Sequence, residues 1–249
     1  MHVQQLSANA APLTNKRNVD TEETDALAGI YRLIGRCLEE EVDRDLLCLL
    51  RGALPKGLAD VGWHLDTEFL ERQEEELLEI LVEEYTGIFV APGGVSPYAS
   101  VFETGCMYRE PSDRAIEAYQ EAGWDYQRCM SGEFPDHIGT MLGFLGEMAA
   151  AEAEARRCGD VENADLAKQR RENFLVGQLG PWAPGWCRRA AKAALLPFYR
   201  QFLEFTEQFL WQELVAVTDR RRLKELVMLN QREPKKLDYD ADFRKASGI

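Results

Sequence analysis

Residues 133–148 read Glu133-Phe134-Pro135-Asp136-His137-Ile138-Gly139-Thr140-Met141-Leu142-Gly143-Phe144-Leu145-Gly146-Glu147-Met148, and turn chemistry here runs straight into a helical period. Ile138, Met141, Leu142, Leu145 and Met148 recur at three- and four-residue steps, so one face of a helix is buried. Pro135 is expected at the first helical position, where its missing N–H costs nothing, and Glu133 and Asp136 put negative charge beside the positive helix end. His137 stands at the mouth of that helix, either as a structural hydrogen-bonding residue or as a contact for a ligand. The helix continues through the alanine-rich residues 149–155 and stops at Gly159.

The same period recurs on both sides. Residues 1–19 lack it and are expected to form a mobile tail. Asp20 with Glu23 resembles an N-cap and its return partner, and Leu27, Ile30, Tyr31, Ile34 and Leu38 then share one face. A second helix is predicted from Asp43, ended by Gly52 and Pro55, and a third from Thr67 to Tyr85. Residues 87–97 break the pattern, and Ala91-Pro92-Gly93-Gly94-Val95-Ser96-Pro97 must be a loop. A short helix is expected from Pro111 to Ala122, with residues 123–132 as a hinge between two lobes. Further helices are predicted over 161–178, 188–217 and up to Asn230, with a charged tail over 231–249. No stretch reads as a strand. The expected fold is therefore all-α, a single globular helical bundle of about nine helices over residues 20–230.

With 45% hydrophobic and 29% charged residues, the 249-residue chain has the composition of a soluble globular protein. It lacks a bilayer-spanning apolar run, so membrane insertion is not expected, and the absence of a signal-peptide pattern leads to a cytoplasmic reading. The net charge of −14 is lopsided: residues 1–125 carry 10 Lys and Arg against 25 Asp and Glu, net −15, and residues 126–249 carry 19 against 18, net +1. Such a field repels nucleic acid and steers cationic partners toward the first half. The six cysteines are scattered, without a Cys-x-x-Cys pair, and are read as reduced packing residues.

Enzyme chemistry has little support. Only three histidines are present, so a metal site would need carboxylates gathered around His137, and no His-Glu-x-x-His spacing exists. The glycines of the 91–97 loop lack a Gly-x-x-x-x-Gly-Lys-Ser/Thr pattern. No catalytic residue, metal or cofactor is expected. Acidic groups beside aromatics and prolines instead suit a peptide that carries arginine and apolar side chains.

Two stretches carry a family resemblance, and a third echoes it. Tyr85-Thr86-Gly87-Ile88-Phe89 with Pro92-Gly93, then Pro97-Tyr98-Ala99-Ser100-Val101-Phe102, resembles the first signature of the TorD/DmsD/NarJ family of redox-enzyme maturation chaperones. Glu133-Phe134-Pro135-Asp136-His137-Ile138-Gly139 resembles the second. Phe174-Leu175 through Gln178-Leu179 to Trp182 and Pro184 is similar to a third stretch, and Phe198-Tyr199 falls where an aromatic pair is usual. The likeness spans about residues 24–212. Ala99, Met141 and Gln178 depart from the glutamates and histidine common in the family.

The resemblance implies a non-catalytic cytoplasmic chaperone. Its client would be the catalytic subunit of a molybdenum oxidoreductase of the dimethyl sulfoxide reductase family, held through its twin-arginine leader or its body until the cofactor is inserted. Alternatives that the family admits are an assembly factor for a folded, non-exported subunit and a weak guanine-nucleotide-binding switch. On this reading Asp136 pairs with a leader arginine, His137 orients Asp136 or donates to a peptide carbonyl, and Pro135, Glu133, Tyr85, Pro97, Tyr98, Ser100, Phe102 and Trp182 complete the peptide site. The 123–132 hinge also leaves open a homodimer formed by lobe exchange.

Overall fold

The computed structural model describes residues 11–127 and 134–236, with side chains from Asp20 onward. The first helix, α1 (Ala11–Glu39), starts nine residues before the expected cap. Pro12 sits in its first turn, and nothing between it and Asp20 breaks a helix. Asp20 lies inside α1, and its carbonyl accepts the Thr24 hydroxyl at 2.7 Å. The expected tail is thus corrected for residues 11–19, while residues 1–10 lie outside the described part.

The second helix, α2 (Arg44–Arg51), starts beside Asp43 as expected, with Asp43 capping it by accepting the Leu46 N–H, but Pro55 opens a further helix, α3 (Pro55–Asp60). The single helix predicted from Thr67 to Tyr85 is two, α4 (Thr67–Glu71) and α5 (Glu74–Tyr85). Asp66 and Gln73 each cap a start by accepting an N–H three residues on, so two local caps outcompete one continuous helix. The break turns Phe69 inward onto Phe198, with ring centroids 4.5 Å apart, and leaves Leu70 exposed.

A π-helical turn, Thr86–Val90, precedes the glycine loop, which ends at α6 (Ala99–Thr104) and α7 (Glu110–Glu121). Then come α8 (Ile138–Arg157) and α9 (Val161–Phe174), with a second π-helical turn at Leu175–Leu179. The segment predicted as one helix over 188–217 is divided into α10 (Ala183–Ala193) and α11 (Pro197–Val217). Pro197 explains the division, because it forces the preceding Leu196 into an extended conformation. The last helix is α12 (Arg220–Leu229). Nine of these helices are eight residues or longer, and no strand occurs among the described residues.

Helices α1 and α8 form the central pair, and glycine lets them touch. A Cβ on Gly139 would stand 2.9 Å from the Gly35 carbonyl and 3.0 Å from the Glu39 N, whereas one on Gly143 would meet nothing within 4 Å. Gly139→Ala is therefore expected to cost about 1–2 kcal/mol, overpacking outweighing its gain in helix propensity. Gly143→Ala should instead stabilise by up to about 1 kcal/mol. Urea melts of the two variants should move in opposite directions.

Around this pair the core is aromatic. Trp63 packs on Phe202 and Phe205 of α11, and Tyr31 of α1 meets Phe209 edge to face at 5.0 Å. Among the described residues no helix is long and apolar enough to cross a membrane.

Candidate peptide-binding site

The first two motifs meet by main-chain pairing. The Ala99 N–H donates to the Asp136 carbonyl at 3.0 Å and the Ile138 N–H to the Pro97 carbonyl at 2.9 Å, flanking an isolated antiparallel bridge between Tyr98 and His137. The Asp136 carboxylate completes the join. One oxygen accepts the Ser100 N–H at 2.7 Å and the other the Ser112 hydroxyl at 2.6 Å. Asp136 thereby caps α6, holds the first turn of α7 and leads into α8. The residue is 1% exposed, so a peptide arginine has no access to it in this arrangement.

His137, not Pro135, adjoins the first residue of α8, and its Nδ1 accepts the Gly139 N–H at 3.1 Å. The imidazole serves as an N-cap, which it can do only with Nδ1 unprotonated. Pro135 precedes the helix in a turn because the carboxylate that follows it is directed to α6 and α7. Its carbonyl accepts the Tyr119 hydroxyl at 2.7 Å. Burial, with the Asp136 charge beside it, pushes the Tyr119 phenol well above its ordinary pKa, so it remains a donor.

Most of the remaining expected contacts are framework. Tyr85 is buried, donates its hydroxyl to the Leu38 carbonyl at 2.8 Å and packs against Phe89 and Tyr199. Phe102 packs on Trp182, whose indole N–H donates to the Gln178 carbonyl at 2.9 Å, and both rings are buried. The Trp186 indole N–H donates to the Ser96 carbonyl at 2.7 Å, tying α10, which follows the third motif, to the loop inside the first. Pro97 and Ser100 are buried, and Tyr98 is half-buried between His137 and Phe134. Glu133 and residues 128–132 of the expected hinge lie outside the described part.

The accessible surface lies beside this corner. A groove of about 290 Å³ runs between α7, α8 and the end of α1. Trp124, Tyr126, Tyr119 and Phe144 provide apolar wall, and Glu39, Asp125 and Glu147 provide charge. Trp124 is 43% exposed. Glu147 pairs with Arg32 at 2.7 Å across an exposed gap, an ion pair of the kind that contributes less than about 1 kcal/mol and can be exchanged for a ligand cation. Sequence reading did not single out Trp124, Asp125 or Ser112, since none stands in a periodic or motif position. Among the described residues no group of three or more His, Cys, Asp or Glu could hold a metal ion.

Residues 53–188, more than half of the chain and inclusive of all three motifs, match the family model of the nitrate reductase delta subunit. A solved structure from Archaeoglobus fulgidus, described as a candidate redox enzyme maturation protein, is similar over 84% of this chain and 99% of its own, with 20% identity and a TM-score of 0.42. No curated protein sequence matches. The motifs first read from the sequence, joined in space at the Asp136 corner, and the family match together give one conclusion: the chain belongs to the nitrate reductase delta subunit family, the NarJ/TorD-type maturation chaperones of redox enzymes.

Proposed function

We propose that the protein acts in the cytoplasm as a non-catalytic chaperone for the catalytic subunit of a molybdenum oxidoreductase of the dimethyl sulfoxide reductase family. It binds the subunit's twin-arginine leader and holds it while the cofactor is inserted. The observation that carries this reading is the groove beside the Asp136 corner, where exposed aromatic surface and three carboxylates lie within one concave site. A leader joins an arginine pair to an apolar stretch, and the groove has a counterpart for each: Glu39, Asp125 and Glu147 for the guanidinium groups, Trp124 and Tyr126 for the apolar core.

The arginine-pairing role expected of Asp136 passes to these acids, because its own oxygens are occupied by Ser100 and Ser112. Asp136 and His137 are framework in this reading: they hold the start of α8, one wall of the groove, without touching the peptide. Trp124→Ala is expected to weaken binding of a labelled synthetic leader at least tenfold in fluorescence anisotropy, with an unchanged far-UV spectrum, since an exposed aromatic anchor is a typical hot spot. Unchanged affinity would move the leader elsewhere.

A second reading is favoured by the family's description as a nitrate reductase subunit: an assembly factor that grips the body of its client. A catalytic subunit lacking its leader separates the two. Undiminished binding of the leaderless subunit would support the body-binding reading.

A further inference from the structure

The residues just past α12 are fastened to the motif region. Asn230 is 1% exposed; its Oδ1 accepts the Gly185 N–H at 2.7 Å, and its Nδ2 donates to the Gly180 carbonyl at 2.7 Å. A Cβ on Gly185 would stand 2.4 Å from the Asn230 carbonyl, so only glycine lets the chain pass there. From this anchor, residues 231–236 run without regular structure over α10 toward α6. Arg189 Nη1 donates to the Arg232 carbonyl at 3.2 Å, Arg232 Nη2 to the Pro181 carbonyl at 3.4 Å, and the Lys235 N–H to the Phe102 carbonyl at 3.0 Å. The Arg189 guanidinium lies 4.8 Å from the Phe102 ring centroid.

The fit is incomplete at Arg189. Its Nε and Nη2 are buried without a hydrogen-bond partner, although the guanidinium is among the strongest of donors. Burial also lowers its pKa from the ordinary value. The overlying segment brings the Glu233 charge near the guanidinium but only one oxygen, the Arg232 carbonyl, into hydrogen-bond reach of its three nitrogens. A ligand with further oxygens at that point would bind the same face better.

We propose that the face formed by the Phe102 carbonyl, the Pro181 carbonyl and Arg189 is a binding site for an extended segment of client polypeptide, and that the chain's own residues 232–235 occupy it as a stand-in. The bound segment donates a main-chain N–H to Phe102 and offers carbonyl or carboxylate oxygens to Arg189. The stand-in is held at a local concentration of about millimolar by its tether, enough to exclude weak ligands and to yield to one that satisfies Arg189 fully. The face differs in sign from the acidic groove at Arg189, whose guanidinium lies over the Phe102 ring. That the partner is a client rests on the maturation reading; the site itself does not.

The test uses the full chain and no leader. Lys235→Pro removes the N–H that reaches Phe102, at an exposed position. The probe is a capped synthetic peptide with the sequence Gln231–Lys236, followed by amide chemical shifts. In the Lys235→Pro protein the peptide is expected to shift amides of α6 and α10, and the unsubstituted protein should need at least about ten times more peptide for the same response. Adding Arg189→Met to Lys235→Pro should abolish the response while the far-UV spectrum is retained. Equal responses in the first two proteins, no response in either, or a response that survives Arg189→Met would overturn the proposal. Because no leader is used, failure of leader binding would leave it standing.

Discussion

Asp136→Ala is expected to destabilise the protein by about 3 kcal/mol, equivalent to a fall in Tm of about 10 °C for a chain of this size. The substitution removes a buried carboxylate and leaves the Ser100 N–H and the Ser112 hydroxyl without their acceptor. Each buried donor left unpaired costs about 1–3 kcal/mol. Asp136→Asn keeps the shape and one acceptor but turns an NH₂ toward a donor, so it should lie between alanine and the parent. Thermal melts followed by circular dichroism check both. At a temperature where the variants stay folded, leader affinity should remain within about twofold of the parent's, because the carboxylate does not reach the surface. A variant of full stability that had lost the leader would instead make Asp136 a direct contact.

The second large effect lies away from the groove. Arg171 has a side chain only 7% exposed and joins two carboxylates, Glu152 at 3.2 Å and Glu213 at 3.4 Å. Glu152 also pairs with Arg156, and Glu213 accepts the Tyr31 hydroxyl, so the network links α1, α8, α9 and α11. Arg171→Met is expected to cost about 3–5 kcal/mol, the usual consequence of stranding buried charge. Burial already raises the Glu213 pKa, and the Arg171 charge opposes that rise. Without Arg171 the folded form would hold its Glu213 proton more tightly than the unfolded chain does. Stability of the variant should therefore fall as pH rises from the ordinary carboxylate value through the raised pKa, more steeply than the parent's. Urea melts at about pH 5 and about pH 8 read that difference.

Much of this molecule is local and therefore legible in the sequence. The apolar period after His137 placed α8, and Gly159, with φ of 76°, ends it as a C′ glycine should. The helix predicted from Asp43 starts there, at Arg44. What could not be read is what lies far along the chain. Ser100 and Ser112 are 36 and 24 residues from Asp136, and no spacing rule brings them to it. The Asp136 carboxylate therefore looked available for a peptide when it was already committed to two helices. Arg171 stands inside a run of charged residues that carries no local signal of burial, and its carboxylate partners lie on α8 and α11. Phe102 and Trp182 showed the reverse ambiguity, since an aromatic that contacts a peptide and one that fills a core have the same sequence signature.

The acidic groove makes a prediction that depends on the shape of the cation as well as on its charge, because a guanidinium can bridge carboxylates in a way an ammonium cannot. Calorimetric titration with a synthetic twin-arginine leader and with its twin-lysine version, at low and moderate salt, tests that directly. Micromolar or tighter binding of the arginine form is expected, weakened by salt, with distinctly poorer binding of the lysine form. Equal binding of the two, or no binding of either, would contradict it.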